Sequence, residues 1–148
     1  MTVSQFANGL ASRVGSQLMR INRLSAVAAI QEVKGEFTQR IFQKGKDSNN
    51  GIIGKYRSKT HINARKNYGR QTRFKDYNFT GSLFASVKIV NALNSVALAI
   101  VDSPEVDKSI SLEKQDKKKV FDLSKQELQN ITDYRILAAE RLIKQIQL

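Results

Sequence analysis

The amino-acid sequence predicts an α+β fold, in which long N-terminal helices and a C-terminal helix pack on a small, mainly antiparallel sheet, with a long basic loop. Two observations predict it: apolar residues recur at helical spacing near both ends of the chain, and two apolar segments of strand type lie between them. With 148 residues the chain fits one domain with its own core. We divide this single domain, 1–148, into a helical part (1–45), a mobile basic loop (46–75), a small sheet (76–122) and a C-terminal helix (123–148).

Two helices are predicted in the first part, one of about four turns and one over about 26–44, with a weak boundary at 22–25. Their apolar stripes are Phe6, Leu10, Val14, Leu18 and Ile21 in the first, and Ile30, Val33, Phe37 and Ile41 in the second. Gly45 follows where a helix C-cap is expected. The first 31 residues have arginines but no acid, as an organellar transit peptide does; the apolar pattern continues past any cleavage point and favours a helix of the folded domain.

Residues 46–75 form the basic loop. They include nine basic side chains and one acidic side chain, a net charge of +8 out of the chain's +12. Such a cluster of positive charge indicates a polyanionic partner, or a segment that its own charge repulsion keeps extended. Turn-forming residues over 47–51 and the length of the segment predict a mobile loop, with only a weak signal for a short helix within 59–68.

Aromatic side chains alternate with the basic ones in this loop, a mixture that can stack on bases while it contacts phosphates. A solvated loop whose aromatic rings pack against the core is the competing interpretation. The candidate partner- or DNA-contacting residues are Lys55, Tyr56, Arg57, Lys59, Arg65, Lys66, Tyr68, Arg70, Arg73 and Phe74.

The sheet is predicted to begin after the turn at Thr80-Gly81. Alternating Leu83, Ala85, Val87 and Ile89 predict a first strand with one buried face, and 91–94 a turn. A second strand over 95–102 is apolar on both faces, so both should be covered. We assign a candidate subunit contact to Val96, Leu98 and Ile100, and a short third strand to 117–121.

The last helix has the clearest start signal in the chain. Ser124 and Glu127 form a capping-box pattern, which predicts a helix over about 125–146. We expect this helix to support the fold rather than to contact partners. Its predicted buried stripe is Leu128, Ile131, Ala138, Leu142 and Ile146.

Residues for catalysis are missing from the sequence. Cysteine is absent, His61 is the only histidine and lies in the basic loop without an evident acid partner, and neither a glycine-rich phosphate loop nor a metal-ligand cluster occurs. We therefore expect no enzyme activity, no cofactor and no metal. The longest apolar run, 96–101, is far shorter than the roughly 20 residues of a membrane-spanning helix, so no membrane contact is expected.

Four short segments, taken together, resemble the virion-morphogenesis and tail-completion proteins of tailed bacteriophages. The segments are Phe37 to Asp47, Ile53 to Thr60, Phe79 to Val87 with its Thr-Gly-x-Leu-x-x-Ser pattern, and Val120 to Ser124. The family often has Trp where this chain has Tyr56, and its glycine-containing segment before the third strand is not evident here. The resemblance covers about residues 25–140.

The resemblance implies a structural virion protein, a subunit of an oligomeric ring (hexamer or dodecamer) in the phage neck that completes the tail or joins head to tail. It implies portal, connector or tail-tube proteins as neighbours, non-specific contact with DNA in the channel, and a place in the virion after assembly in the bacterial cytoplasm. The alternative from the residues is a monomeric basic nucleic-acid-binding module that uses the 55–75 loop.

Overall fold

The computed structural model describes residues 3–92 and 95–146, with the side chains of Val3, Phe6 and Ala7 left out of the description. Its helices are α1 (Val3–Thr38), which continues into a π-helical turn (Gln39–Gln43), α2 (Lys59–Asn67), α3 (Ser82–Ser86), α4 (Ser103–Asp116) and α5 (Lys125–Gln145). Its strands are β1 (Val87–Asn91) and β2 (Val96–Ile100), which pair antiparallel. The predicted α+β class is confirmed. None of the described helices is both long and apolar enough to cross a membrane.

The first part of the chain is one helix, so the predicted boundary at 22–25 is wrong. Ser25 donates from its hydroxyl to the Asn22 carbonyl at 3.0 Å, a bond made within the helix, so this serine does not end it. The helix ends as expected at Gly45, which has φ +60°. A Cβ there would lie 2.2 Å from the Phe74 ring, so this position requires glycine for its backbone and for space.

Among residues 3–92 and 95–146 the sheet contains only the β1–β2 pair, with Val87 opposite Ile100 and Asn91 opposite Val96. The segment from Leu83 to Ser86, predicted as strand, is the helical turn α3, so that part of the prediction is wrong. Leu83 and Val87 are four residues apart, a spacing that buries one face of a helical turn as well as it fits a strand. The predicted turn at 91–94 includes Leu93 and Asn94, which lie outside the described residues.

The predicted third strand at 117–121 is also wrong. Helix α4 begins with Pro104 in its first turn and ends at Lys117, whose φ is +52°. The backbone N–H groups of Val120 and Phe121 donate to the Glu113 carboxylate at 2.6 and 2.9 Å. A side chain therefore satisfies the donors that a neighbouring strand would have used.

The core lies between the end of α1, α3, the hairpin and the segment before α5. It consists of Phe37, Ile41, Phe42, Ile53, Leu83, Val87 and Val120. Buried Arg40 stabilises this core through hydrogen bonds. Its Nε donates to Glu127 at 2.8 Å, and its Nη2 donates to the Asp122 carbonyl at 2.8 Å. The predicted stripe of Ile30, Val33, Phe37 and Ile41 is buried, and Phe37 and Ile41 belong to this core.

Helix α5 packs antiparallel on α1, since Arg40 pairs with Glu127 and Asn22 accepts from Arg135. The predicted capping box is confirmed, with the Ser124 hydroxyl accepting from the Glu127 N–H and the Glu127 carboxylate accepting from the Ser124 N–H. Of the predicted buried stripe, Ile131, Ala138, Leu142 and Ile146 are half-buried. Leu128 is 52% exposed, so that part of the prediction is wrong.

Candidate interaction surfaces

The basic loop is organised around one buried carboxylate, that of Asp76. Arg65 donates from Nη2 to both of its oxygens at 2.9 Å, Gln71 donates from Nε2 at 2.6 Å, and Tyr56 donates from its hydroxyl at 2.9 Å. The side chains of Arg65 and Asp76 are 1% and 5% exposed. A buried ion pair with its remaining sites hydrogen-bonded fixes the geometry of the segment on both sides of it.

Aromatic rings surround the Arg65 guanidinium. Its central carbon lies 4.5 Å from the centroid of the Tyr56 ring and 6.0 Å from that of Phe79. His61 stacks on Tyr56 with 4.9 Å between centroids, and Tyr68 meets Phe79 edge to face at 5.4 Å. Burial raises the pKa of the Tyr56 hydroxyl to about 12, and the Asp76 charge acts in the same direction.

Helix α2 holds this cluster together and presents the loop's charges to solvent. Ser58 caps it by accepting from the His61 N–H at 3.3 Å, and Arg65 points inward from its last turn. Tyr68, which follows the helix, is 74% exposed. We call the outward residues the basic face: Lys55, Arg57, Lys59, Lys66, Tyr68, Arg70 and Arg73, all of them exposed.

Three residues that were assigned to partner contact from the sequence are buried or half-buried in the structure. Arg65 is 0% exposed and bound to Asp76, so its assignment as a contact residue is wrong. Phe74 is half-buried against Gly45, and Tyr56 is half-buried under Arg65. The basic loop also contains helix α2, for which the sequence showed only a weak signal. The mobility of the loop stays a prediction.

The candidate subunit contact on β2 is used largely within the chain. Leu98 and Ile100 pack against the core cluster, and Val96 is half-buried. The alternate positions Ala97 and Ala99 are small, and Ala97 is exposed. Because Ala97 is exposed, the expected cover on both faces of β2 is incomplete within the described chain.

An exposed apolar surface on α1 was not identified from the sequence. We call residues 3–20 of α1 the arm. Its stripe residues Leu10, Val14 and Leu18 are between 49% and 59% exposed, although their spacing predicted an inward face. The structure explains the exposure: α1 has 36 residues and α5 has 21, about 54 Å against about 32 Å. The partner helix is too short to cover α1 from end to end.

Comparisons with protein-family models, with curated proteins and with solved structures find no match for this chain.

Proposed function

We propose that this protein is a structural subunit of a homo-oligomeric ring in the neck of a tailed bacteriophage, where it completes the tail or joins head to tail. The ring is a hexamer or dodecamer and lies in the virion between portal or connector proteins and tail-tube proteins. The role is mechanical, without catalysis or a cofactor. The family resemblance of the four sequence segments supplies the location.

The observation that supports an oligomer best is the uncovered arm. Leu10, Val14 and Leu18 share one face of a helix that no other part of the described chain covers. Exposed apolar stripes of this kind mark protein interfaces, because transferring them out of water is favourable by about 25 cal/mol for each Å² of apolar area.

Size-exclusion chromatography with light scattering tests the oligomer directly. The proposal predicts a closed species at a fixed multiple of the 16.7 kDa chain, unchanged on dilution across the micromolar range. A single species of one chain at every concentration would contradict it.

A second candidate is a monomeric nucleic-acid-binding module that uses the basic face. The six exposed cations of this segment and the exposed ring of Tyr68 support it, since exposed cations together with an exposed ring suit a single-stranded backbone with stacked bases. In the ring, the same face would contact either an acidic partner or, weakly and without sequence preference, the DNA in the channel.

A salt titration separates these roles of the basic face. The variant Lys66→Gln/Arg70→Gln/Arg73→Gln leaves buried Arg65 in place. The matched control, Lys88→Gln/Lys114→Gln/Lys125→Gln, removes the same charge from exposed positions elsewhere. If the face binds nucleic acid, the logarithm of the affinity falls with log salt by about 0.9 per phosphate contacted on duplex DNA, and only the first variant flattens that slope. Equal effects of both variants would show that net charge alone acts.

A further inference from the structure

The arm continues the buried stripe of its own helix. Ser25, Ala29 and Val33 are each at most 2% exposed where α5 covers them. Counting back from Ser25 in steps of three and four leads to Ile21, Leu18, Val14 and Leu10, so the same face of α1 runs on into the uncovered part. A helix that takes over where α5 ends would complete the packing.

The charges of the arm limit what that helix can be. Within residues 3–31 the charged side chains are Arg13, Arg20 and Arg23, with no acid among them. Two arms side by side would bring these cations together, which disfavours an arm-to-arm contact. Arg13 and Arg20 are seven residues apart, so they lie on one flank of the apolar stripe. The arm therefore fits a helix with an apolar stripe flanked by acids.

Such a helix face is present on α5, on the side turned away from α1. Leu128, Ile136 and Ile143 recur at helical spacing there and are 52–53% exposed. Asp133 and Glu140, also exposed and seven residues apart, lie along one flank of this outward stripe, and Lys125 lies on the stripe itself at the start of the helix. The spacing of the acids equals that of Arg13 and Arg20.

We propose that the arm of one subunit packs along the outward stripe of α5 in a second copy of this chain, with Arg13 and Arg20 facing Asp133 and Glu140. This inference rests on the proposed oligomer and names its contact. It also revises the expectation that α5 supports the fold alone. Since the two surfaces differ, the contact is heterologous, and repetition of such a contact closes a ring when the rotation between subunits allows it.

Charge reversal followed by mixing tests the contact. We expect Arg13→Glu/Arg20→Glu and Asp133→Arg/Glu140→Arg each to lower the mass from that of the wild-type oligomer toward 16.7 kDa. An equimolar mixture of the two recovers the wild-type mass, because each reversed arm then meets a reversed α5 and each native arm a native α5. Circular dichroism checks that every variant keeps the wild-type helix content.

A matched control separates the stripe from the opposite side of the arm. Leu10→Asp/Leu18→Asp is expected to dissociate the oligomer, whereas Met19→Asp, at a position 73% exposed and outside the stripe, is expected to leave it intact. An oligomeric wild type whose folded charge variants keep their mass, or whose mixture stays dissociated, overturns this contact but leaves the proposed ring standing. A monomeric wild type overturns both.

Flotation with vesicles of phosphatidylcholine and phosphatidylglycerol tests the other surface that a cationic apolar helix suits, an anionic lipid bilayer. We expect the wild-type oligomer to remain in the unbound fraction. Binding of a monomer that Arg13→Glu/Arg20→Glu abolishes would assign the arm to lipid and overturn the inference.

Discussion

Replacing Asp76 with asparagine should loosen the basic loop and destabilise the whole domain. The substitution keeps the shape of the side chain but removes its charge, and its new amide group donates where Arg65 or Gln71 also donates. The pair is at most 5% exposed, so the Arg65 cation is left buried without its counter-ion. Removing one partner of such a pair costs about 3–5 kcal/mol, against a total stability of about 5–15 kcal/mol for a domain.

Urea denaturation followed by circular dichroism measures this loss, and limited trypsin digestion reports where the loop opens. We expect faster cleavage after Arg57, Arg70 and Arg73 in the variant than in the wild type. Asp122→Asn is the control, because that carboxylate is 62% exposed and should change stability by less than about 0.5 kcal/mol. A loss below about 1 kcal/mol for Asp76→Asn, with unchanged cleavage, would refute the claim that this pair organises the loop.

Three further changes test the core, the helix cap and the buried tyrosine. Ile41→Ala, at a fully buried position, should lower the free energy of unfolding in urea by about 2–5 kcal/mol through the lost contacts and the cavity. Ser124→Ala should lower it by about 1 kcal/mol through loss of the bond to the Glu127 N–H, whereas Ser124→Asp, which retains an acceptor, should lower it less. The folded-state pKa of the Tyr56 hydroxyl is about 12, above the ordinary value of 10.0. The folded state therefore holds this proton more tightly than the unfolded state does. The stability that this difference contributes is lost as pH rises from about 10 to about 12. Tyr56→Phe should therefore show a shallower alkaline loss of stability, and its absorbance titration should lack one late-ionising phenol.

The confirmed predictions depend on local hydrogen bonding and backbone conformation, which only a few residue types can provide. The capping box at Ser124 and Glu127 and the glycine cap at Gly45 satisfy backbone groups within a few residues, so the residue types alone specify them. Strand β2 was recognised because an apolar run of this length beside Pro104 fits a short strand.

The errors have a shared physical origin in tertiary contacts. Val120 and Phe121 resembled a strand, but the Glu113 carboxylate from the preceding helix takes their N–H groups, and no local pattern announces that bond. In the sequence, Arg65 resembles its exposed basic neighbours. A block of positive charge does not indicate which arginine turns inward to pair with Asp76.

The exposure of the arm was missed for a different reason. Its periodicity was predicted correctly, but periodicity identifies an apolar face without saying what covers it. Leu10 and Ile30 carry the same helical signal, and only the first is exposed. The difference follows from α1 being one continuous helix longer than α5, which the predicted boundary at 22–25 concealed.

Electron microscopy of phage particles assembled without this chain tests the central claim most directly. If the proposed function is right, this chain is needed to complete the tail or to join it to the head. We therefore predict heads and tails that remain unjoined, and joining when the purified protein is added back. Particles that are intact and joined in the absence of this chain would contradict the account.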